Sequence, residues 1–149
     1  MVWGAFSGHG KSELAILDGN QDADNYIHTL GDHLFPFGHS AYGPNFVFMQ
    51  DGASIHRAKT TIKFLNDQGV QLFDHPALSP DLNPIEKVWG MMARKVYENG
   101  EQYSSRNELI RAVKLAWSQI DQNYLDKLIS SIPKRCVAVL QGKGSVINY

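Results

Sequence analysis

Four consecutive apolar residues, FVFM at 46–49, run straight into Gln50 and Asp51. A strand with one wet face alternates apolar and polar residues, whereas a strand apolar at every position is expected to be covered on both faces. That requirement calls for a sheet layered between helices, and the neighbouring segments can supply them. Residues 55–68 repeat apolar side chains at Ala58, Ile62 and Leu65, the spacing of a helix that Gly69 can end. Residues 70–73 form a further short strand.

Upstream, VWGAF at 2–6 predicts a strand, SGHGK a turn, and 14–17 a second strand that Asp18-Gly19 closes as a hairpin. Asp24 is the expected N-cap of a helix carrying Tyr26, Ile27, Leu30 and Leu34, and residues 38–45 are expected to be a loop. Downstream, residues 84–99 place Ile85, Val88, Trp89, Met92 and Val96 on one helical face. Residues 106–120 and 121–132 predict two more helices before a less regular basic tail. The order is strand, strand, helix, strand, helix, strand, then helices only, which is a mixed α/β layer fold with helical additions at the C-terminus.

The bulk numbers agree. With 149 residues, 43% hydrophobic and 19% charged, the chain suits one globular domain. No apolar run is long enough to span a bilayer, and the first residues lack the layout of a secretory signal. A lone cysteine, Cys136, excludes an internal disulfide and fits a reducing compartment. Net charge is −1 but unevenly spread. Residues 1–83 hold 4 Lys/Arg against 9 Asp/Glu, a net of −5, and residues 84–149 hold 10 against 6, a net of +4. The acidic half could hold cations and the basic half could face phosphate, although solvated helix surface accounts for the charges equally well.

Single motifs are ambiguous. GAFSGHGKS at 4–12 ends like a phosphate-binding loop, but Ala5 stands where that motif needs glycine, and a strand rather than a helix follows. A hairpin turn is the better account. Asp51 at the end of a buried strand lies where ligands gather in open α/β sheets, yet an aspartate satisfied by the amides of its own turn fits as well. Asn83, Pro84 and Glu86 match cap, first helical position and third, so Glu86 has a capping-box reading. It also borders the apolar face and could project over the sheet edge. His56 stands five residues after Asp51, and Asp81 five before Glu86, where it could fix the Pro-rich turn or add a third acid. His28, His33 and His75 show no metal-ligand spacing.

Together, QDGASIH at 50–56, then 34 residues between Asp51 and Glu86, then SPDLNPIEKVW at 79–89 resemble the Tc-one/mariner superfamily of DNA transposases, in its branch with a final catalytic Glu. MVWGAFS is similar to that family's second strand, and SIPKRCVAVLQGKGSVINY to its C-terminus, so the likeness runs through the whole chain. Gly52 and Ser54 depart from it, standing where the family often has Asn and Pro.

The resemblance implies a ribonuclease H-like mixed sheet flanked by helices and a catalytic triad of two Asp and one Glu. Asp51 matches the second acid, Glu86 the third and His56 the usual histidine after the second. It implies two Mg²⁺ (or Mn²⁺) ions about 4 Å apart, one activating the attacking oxygen and one neutralising the leaving oxygen. The implied partners are DNA, both transposon ends and target, and a second transposase chain, in the nucleus and without membrane contact.

The family's first Asp lies on a strand ahead of the segment that MVWGAFS matches, so no residue here takes that role. Its helix-turn-helix DNA-binding domains likewise have no counterpart among these 149 residues. The expectation is a partial catalytic domain that is inactive alone. A non-catalytic DNA- or transposase-binding module is the alternative. In such a sheet the first strand lies between the second and fourth. Without it VWGAF and FVFM must pair directly, recruit another chain or leave two apolar edges open, which would make the chain marginally stable.

Overall fold

The computed structural model describes residues 1–73, 79 and 82–141, which form two compact units, Met1–Ser79 and Pro80–Tyr149. In the first unit, strands β1 (Val2–Trp3) and β4 (Ala15–Ile16) pair antiparallel, and β2 (Phe6–Ser7) pairs with β3 (Gly10–Lys11). They form one interrupted hairpin. At the break Ser12 replaces the ladder: its amide donates to the Ala5 carbonyl at 2.8 Å and its hydroxyl accepts from the Ala5 amide at 2.9 Å. Gly10-Lys11 is thus strand, as the hairpin reading requires, and no helix follows it.

Helix α1 (Ala23–Thr29) is capped by Asp22, whose Oδ1 accepts the Asn25 amide at 2.9 Å. Asp24, the expected cap, lies in the first turn instead. A π turn (Leu30–Leu34) then joins α1 directly to α2 (Phe35–Tyr42). The loop expected at 38–45 is therefore mostly helix. Pro36 and Gly38 look like breakers, but proline is tolerated in the first turn of α2, where its missing amide costs little.

Gly38 answers a packing demand. A Cβ there would stand 2.6 Å from the Phe46 ring, which is itself buried against Phe35 and His39. Gly38→Ala should cost about 1–3 kcal/mol through overpacking. Alanine's better helix propensity, ~0.5–1 kcal/mol, offsets only part of that. Urea denaturation checks it, and a stabilised variant would refute the steric account.

Strand β5 (Val47–Phe48) pairs parallel with β6 (Gln71–Leu72), and α3 (Lys59–Asp67) forms the crossover between them. Gly69, at φ +74°, ends α3 as expected, while residues 54–57 form a turn rather than its first turn of helix. The core gathers Tyr26, Leu30, Leu34, Phe46, Leu65 and Val70. One expectation fails here: β5 is not covered on both faces, since Val47 is 58% exposed while Phe46 is buried. Among the described residues β1 bonds only to β4 and β5 only to β6. The two therefore do not pair directly, and each keeps an edge without a partner strand.

In the second unit α4 (Ile85–Val96) buries Val88, Met92 and Val96, and Trp89 stacks on Trp117 of α5 (Arg106–Ser118) at 5.6 Å. Ser105 caps α5 through the Glu108 amide, and Glu108 returns a carboxylate to the Ser104 amide and hydroxyl. Those bonds hold the Glu108 carboxyl below its ordinary pKa. Helix α6 (Gln122–Gln141) runs through Pro133, so the irregular tail expected after 132 is helical up to Gln141. Leu125, Leu128 and Arg135 keep the buried period across the proline, and Tyr124 donates to the Lys87 carbonyl at 3.3 Å, tying α6 to α4. Packing of this face offsets the one hydrogen bond that Pro133 removes.

Candidate active site

Asp51 lies just beyond the carboxyl end of β5, where the parallel β5–β6 pair opens toward solvent. Its Oδ1 accepts the Ala53 amide at 3.0 Å and meets His56 Nδ1 at 2.6 Å. The turn-satisfied reading and the ligand reading are therefore compatible. One oxygen closes the turn, while Oδ2 has no hydrogen bond among the described residues and the side chain is half exposed.

His56 is held more tightly than Asp51. Its ring packs on Tyr26 with centroids 4.2 Å apart, and its carbonyl accepts from Gln50 Nε2 at 3.0 Å. Gln50 Oε1 in turn accepts the Tyr26 hydroxyl at 2.8 Å. Burial, chiefly, and the nearby Asp51 charge push the Tyr26 phenol well above its ordinary pKa, with a hydrogen bond to Trp3 acting the other way. Tyr26 stays a donor at any working pH. The chain Tyr26–Gln50–His56–Asp51 thus orients the carboxylate from a buried anchor. Tyr26 was legible only as a helix core residue. The signal for more was its hydroxyl, since a buried tyrosine usually finds a hydrogen-bond partner.

In the second unit Glu86 is exposed in the first turn of α4. Asn83 is 6% exposed, and its Oδ1 accepts the Ile85 amide at 3.3 Å. The cap position itself falls one residue later, on Pro84, which offers no side-chain acceptor. Asn83 still fixes the start of the helix. Asp81 lies outside the described residues.

Among the described residues no group of three or more His, Cys, Asp or Glu forms a metal cluster. The donor chemistry of Asp51 nonetheless suits a hard divalent cation: a carboxylate with one oxygen open to solvent, backed by a histidine hydrogen bond. Mg²⁺ keeps several waters and needs only one or two protein carboxylates.

Known proteins place the chain. The family model described as DDE superfamily endonuclease matches residues 1–110. The transposable element Tc3 transposase of Caenorhabditis elegans is 34% identical over all 149 residues, which make up 45% of that protein. The Tcb2 transposase of Caenorhabditis briggsae is 34% identical over 149 residues, 54% of its length. The chain thus spans about half the length of these relatives. The catalytic domain of Mos1 mariner transposase superposes with a TM-score of 0.86 at 17% identity, covering 99% of this chain and 75% of that one. A Mos1 mariner paired end complex with Mn gives 0.86 at 18% identity, over 99% of this chain and 44% of that one. No described helix is long and apolar enough to cross a membrane. With its ribonuclease H-like fold and a family match over most of its length, the chain belongs to the DDE superfamily endonucleases, in the Tc1/mariner group of transposases.

Proposed function

We propose that residues 1–149 are part of a catalytic domain for metal-dependent cleavage and strand transfer of DNA, with Asp51 and Glu86 as two carboxylate ligands of one divalent site. The observation that carries this reading is the Asp51 carboxylate, oriented by His56 at the end of a parallel strand with one oxygen open. Glu86 stands on the first turn of a helix whose start is fixed by Asn83, a rigid mount for a group that must hold an ion in place. Mos1 structures with Mg and with Mn, and its paired end and strand transfer complexes, support Mg²⁺ or Mn²⁺ as cofactor and DNA as partner. A second copy of the chain as partner and the nucleus as location complete the proposal.

Bound there, the metal would supply Lewis-acid activation of a hydroxyl and neutralisation of the leaving oxygen. The protein's own share is positional. His56 holds Asp51 Oδ1 so that Oδ2 faces the ion, and the Tyr26–Gln50 pair holds His56. Asp81 would support the turn ahead of α4. The 149 residues supply two of the family's three acids, so weak turnover by this chain alone is part of the proposal.

The alternative, DNA or transposase binding without a metal, draws on the +4 charge of residues 84–149. Affinity cleavage separates the two. Fe²⁺ replacing Mg²⁺ in the presence of ascorbate and peroxide is expected to cut the backbone beside both 51 and 86, and excess Mg²⁺ should suppress the cuts. Cuts beside one position only would end the shared site, and cuts at neither would favour the metal-free module.

A further inference from the structure

Of the four Lys/Arg among residues 1–83, three fall within seven positions: Arg57, Lys59 and Lys63. They line one open groove of about 530 Å³ with Ile62, Asn66 and Asp67, on a stretch of chain that is otherwise acidic. All three cations are exposed. Lys63 pairs with Asp67 at 2.5 Å, while the Arg57 guanidinium and Lys59 ammonium make no ion pair among the described residues. Two uncompensated cations and one weakly held by an exposed i,i+4 pair leave the groove positive.

The groove is joined to the candidate site. Arg57 leans over Gly52, where a Cβ would stand 4.0 Å from its Nε, and Gly52 is the neighbour of Asp51. From there Lys59 and Lys63 follow α3 at i and i+4, about 6 Å apart along the axis. A B-form strand presents a phosphate every ~3.4 Å of axis, so the step suits a sugar-phosphate backbone lying along the helix. Ile62 supplies an apolar floor, and Ala58 offers the first-turn amides no side-chain acceptor, which leaves the positive end of the helix facing the same way.

We propose that Arg57, Lys59 and Lys63 form a phosphate track that takes the backbone of the DNA strand whose reacting phosphodiester lies at Asp51. This deepens the proposed function and rests on it. The track reads no sequence. It lays the strand along α3 and shields phosphate from the acidic surroundings.

The test is fluorescence anisotropy of the 149-residue chain with a labelled duplex of about 20 base pairs, from about 50 to 200 mM salt. Arg57→Ala/Lys59→Ala/Lys63→Ala is expected to reduce the slope of log affinity against log salt by ~2–3. The charge-keeping variant Arg57→Lys/Lys59→Arg/Lys63→Arg should retain the slope. A control removing equal charge from the second unit, Lys95→Ala/Arg111→Ala/Lys127→Ala, should lose less. An unchanged slope in the first variant, or an equal loss in the control, overturns the track. Mn²⁺ affinity measured alongside keeps the two readings apart. A lost slope with normal Mn²⁺ affinity upholds the track, even if Asp51→Asn also binds Mn²⁺ normally and so sinks the metal site. A normal slope together with Mn²⁺ binding that depends on Asp51 sinks the track alone.

Discussion

Replacing Asp51 with asparagine is expected to weaken Mn²⁺ binding by more than ~100-fold, beyond the ~10–100-fold that loss of an outer-shell partner costs. Asparagine keeps the shape and can still accept the Ala53 amide through its carbonyl oxygen, so the turn at 51–53 should survive. What it loses is the charge and an anionic ligand oxygen. Glu86→Gln should act similarly if both carboxylates serve one ion. His56→Ala should fall in the smaller range, because it leaves the carboxylate in place and removes only the group that orients it at 2.6 Å. Titration by electron paramagnetic resonance of free Mn²⁺ measures all three. Wild-type affinity in Asp51→Asn would rule out this site, and a His56→Ala loss as large as that of Asp51→Asn would make His56 a ligand rather than a support.

The second large effect concerns folding. Leu65 is fully buried on α3 and packs with Leu30, Phe46 and Val70, so Leu65→Ala should cost ~2–5 kcal/mol. Total stability of a domain is only about 5–15 kcal/mol, so this loss reaches a large share of it. Amide exchange read by mass spectrometry locates the damage: protection should fall in peptides from 1–73 and persist in those from 85–141. A uniform loss across both would mean that the two units unfold as one. A loss under ~1 kcal/mol would contradict the cavity argument.

The helices of the second half were legible because their apolar residues recur at helical spacing: Val88, Met92 and Val96 are buried as the pattern demands. The first half was read less completely, and for identifiable reasons. Pro36 and Gly38 carry strong local signals for a break, but a π turn and a close approach by Phe46 override them. Pro133 misled in the same way, since the buried face of α6 continues past it. FVFM promised burial on both faces, yet Val47 faces solvent, because composition registers apolarity and not which partners are present to cover it.

At the site, Asp51 and His56 lie five residues apart and could be paired by eye. Tyr26 and Gln50 lie 24 apart and meet only through tertiary packing. Local reasoning left Glu86 divided between cap and ligand. Only the resemblance of the longer pattern weighed toward ligand, and the family match supports the pattern without testing the residue.

The π turn at Leu30–Leu34 has a consequence for how this chain tolerates change in length. The Phe35 amide reaches back five residues to Leu30, one more than a regular helix uses. Deleting a single residue there would convert the turn to α-helix and rotate everything beyond it by about 100°. Gly38 would swing away from Phe46, and a bulkier side chain would take its place against the ring. The length of this connection is therefore as constrained as its chemistry, and relatives that keep a bulky aromatic at position 46 should keep both the extra residue and the glycine.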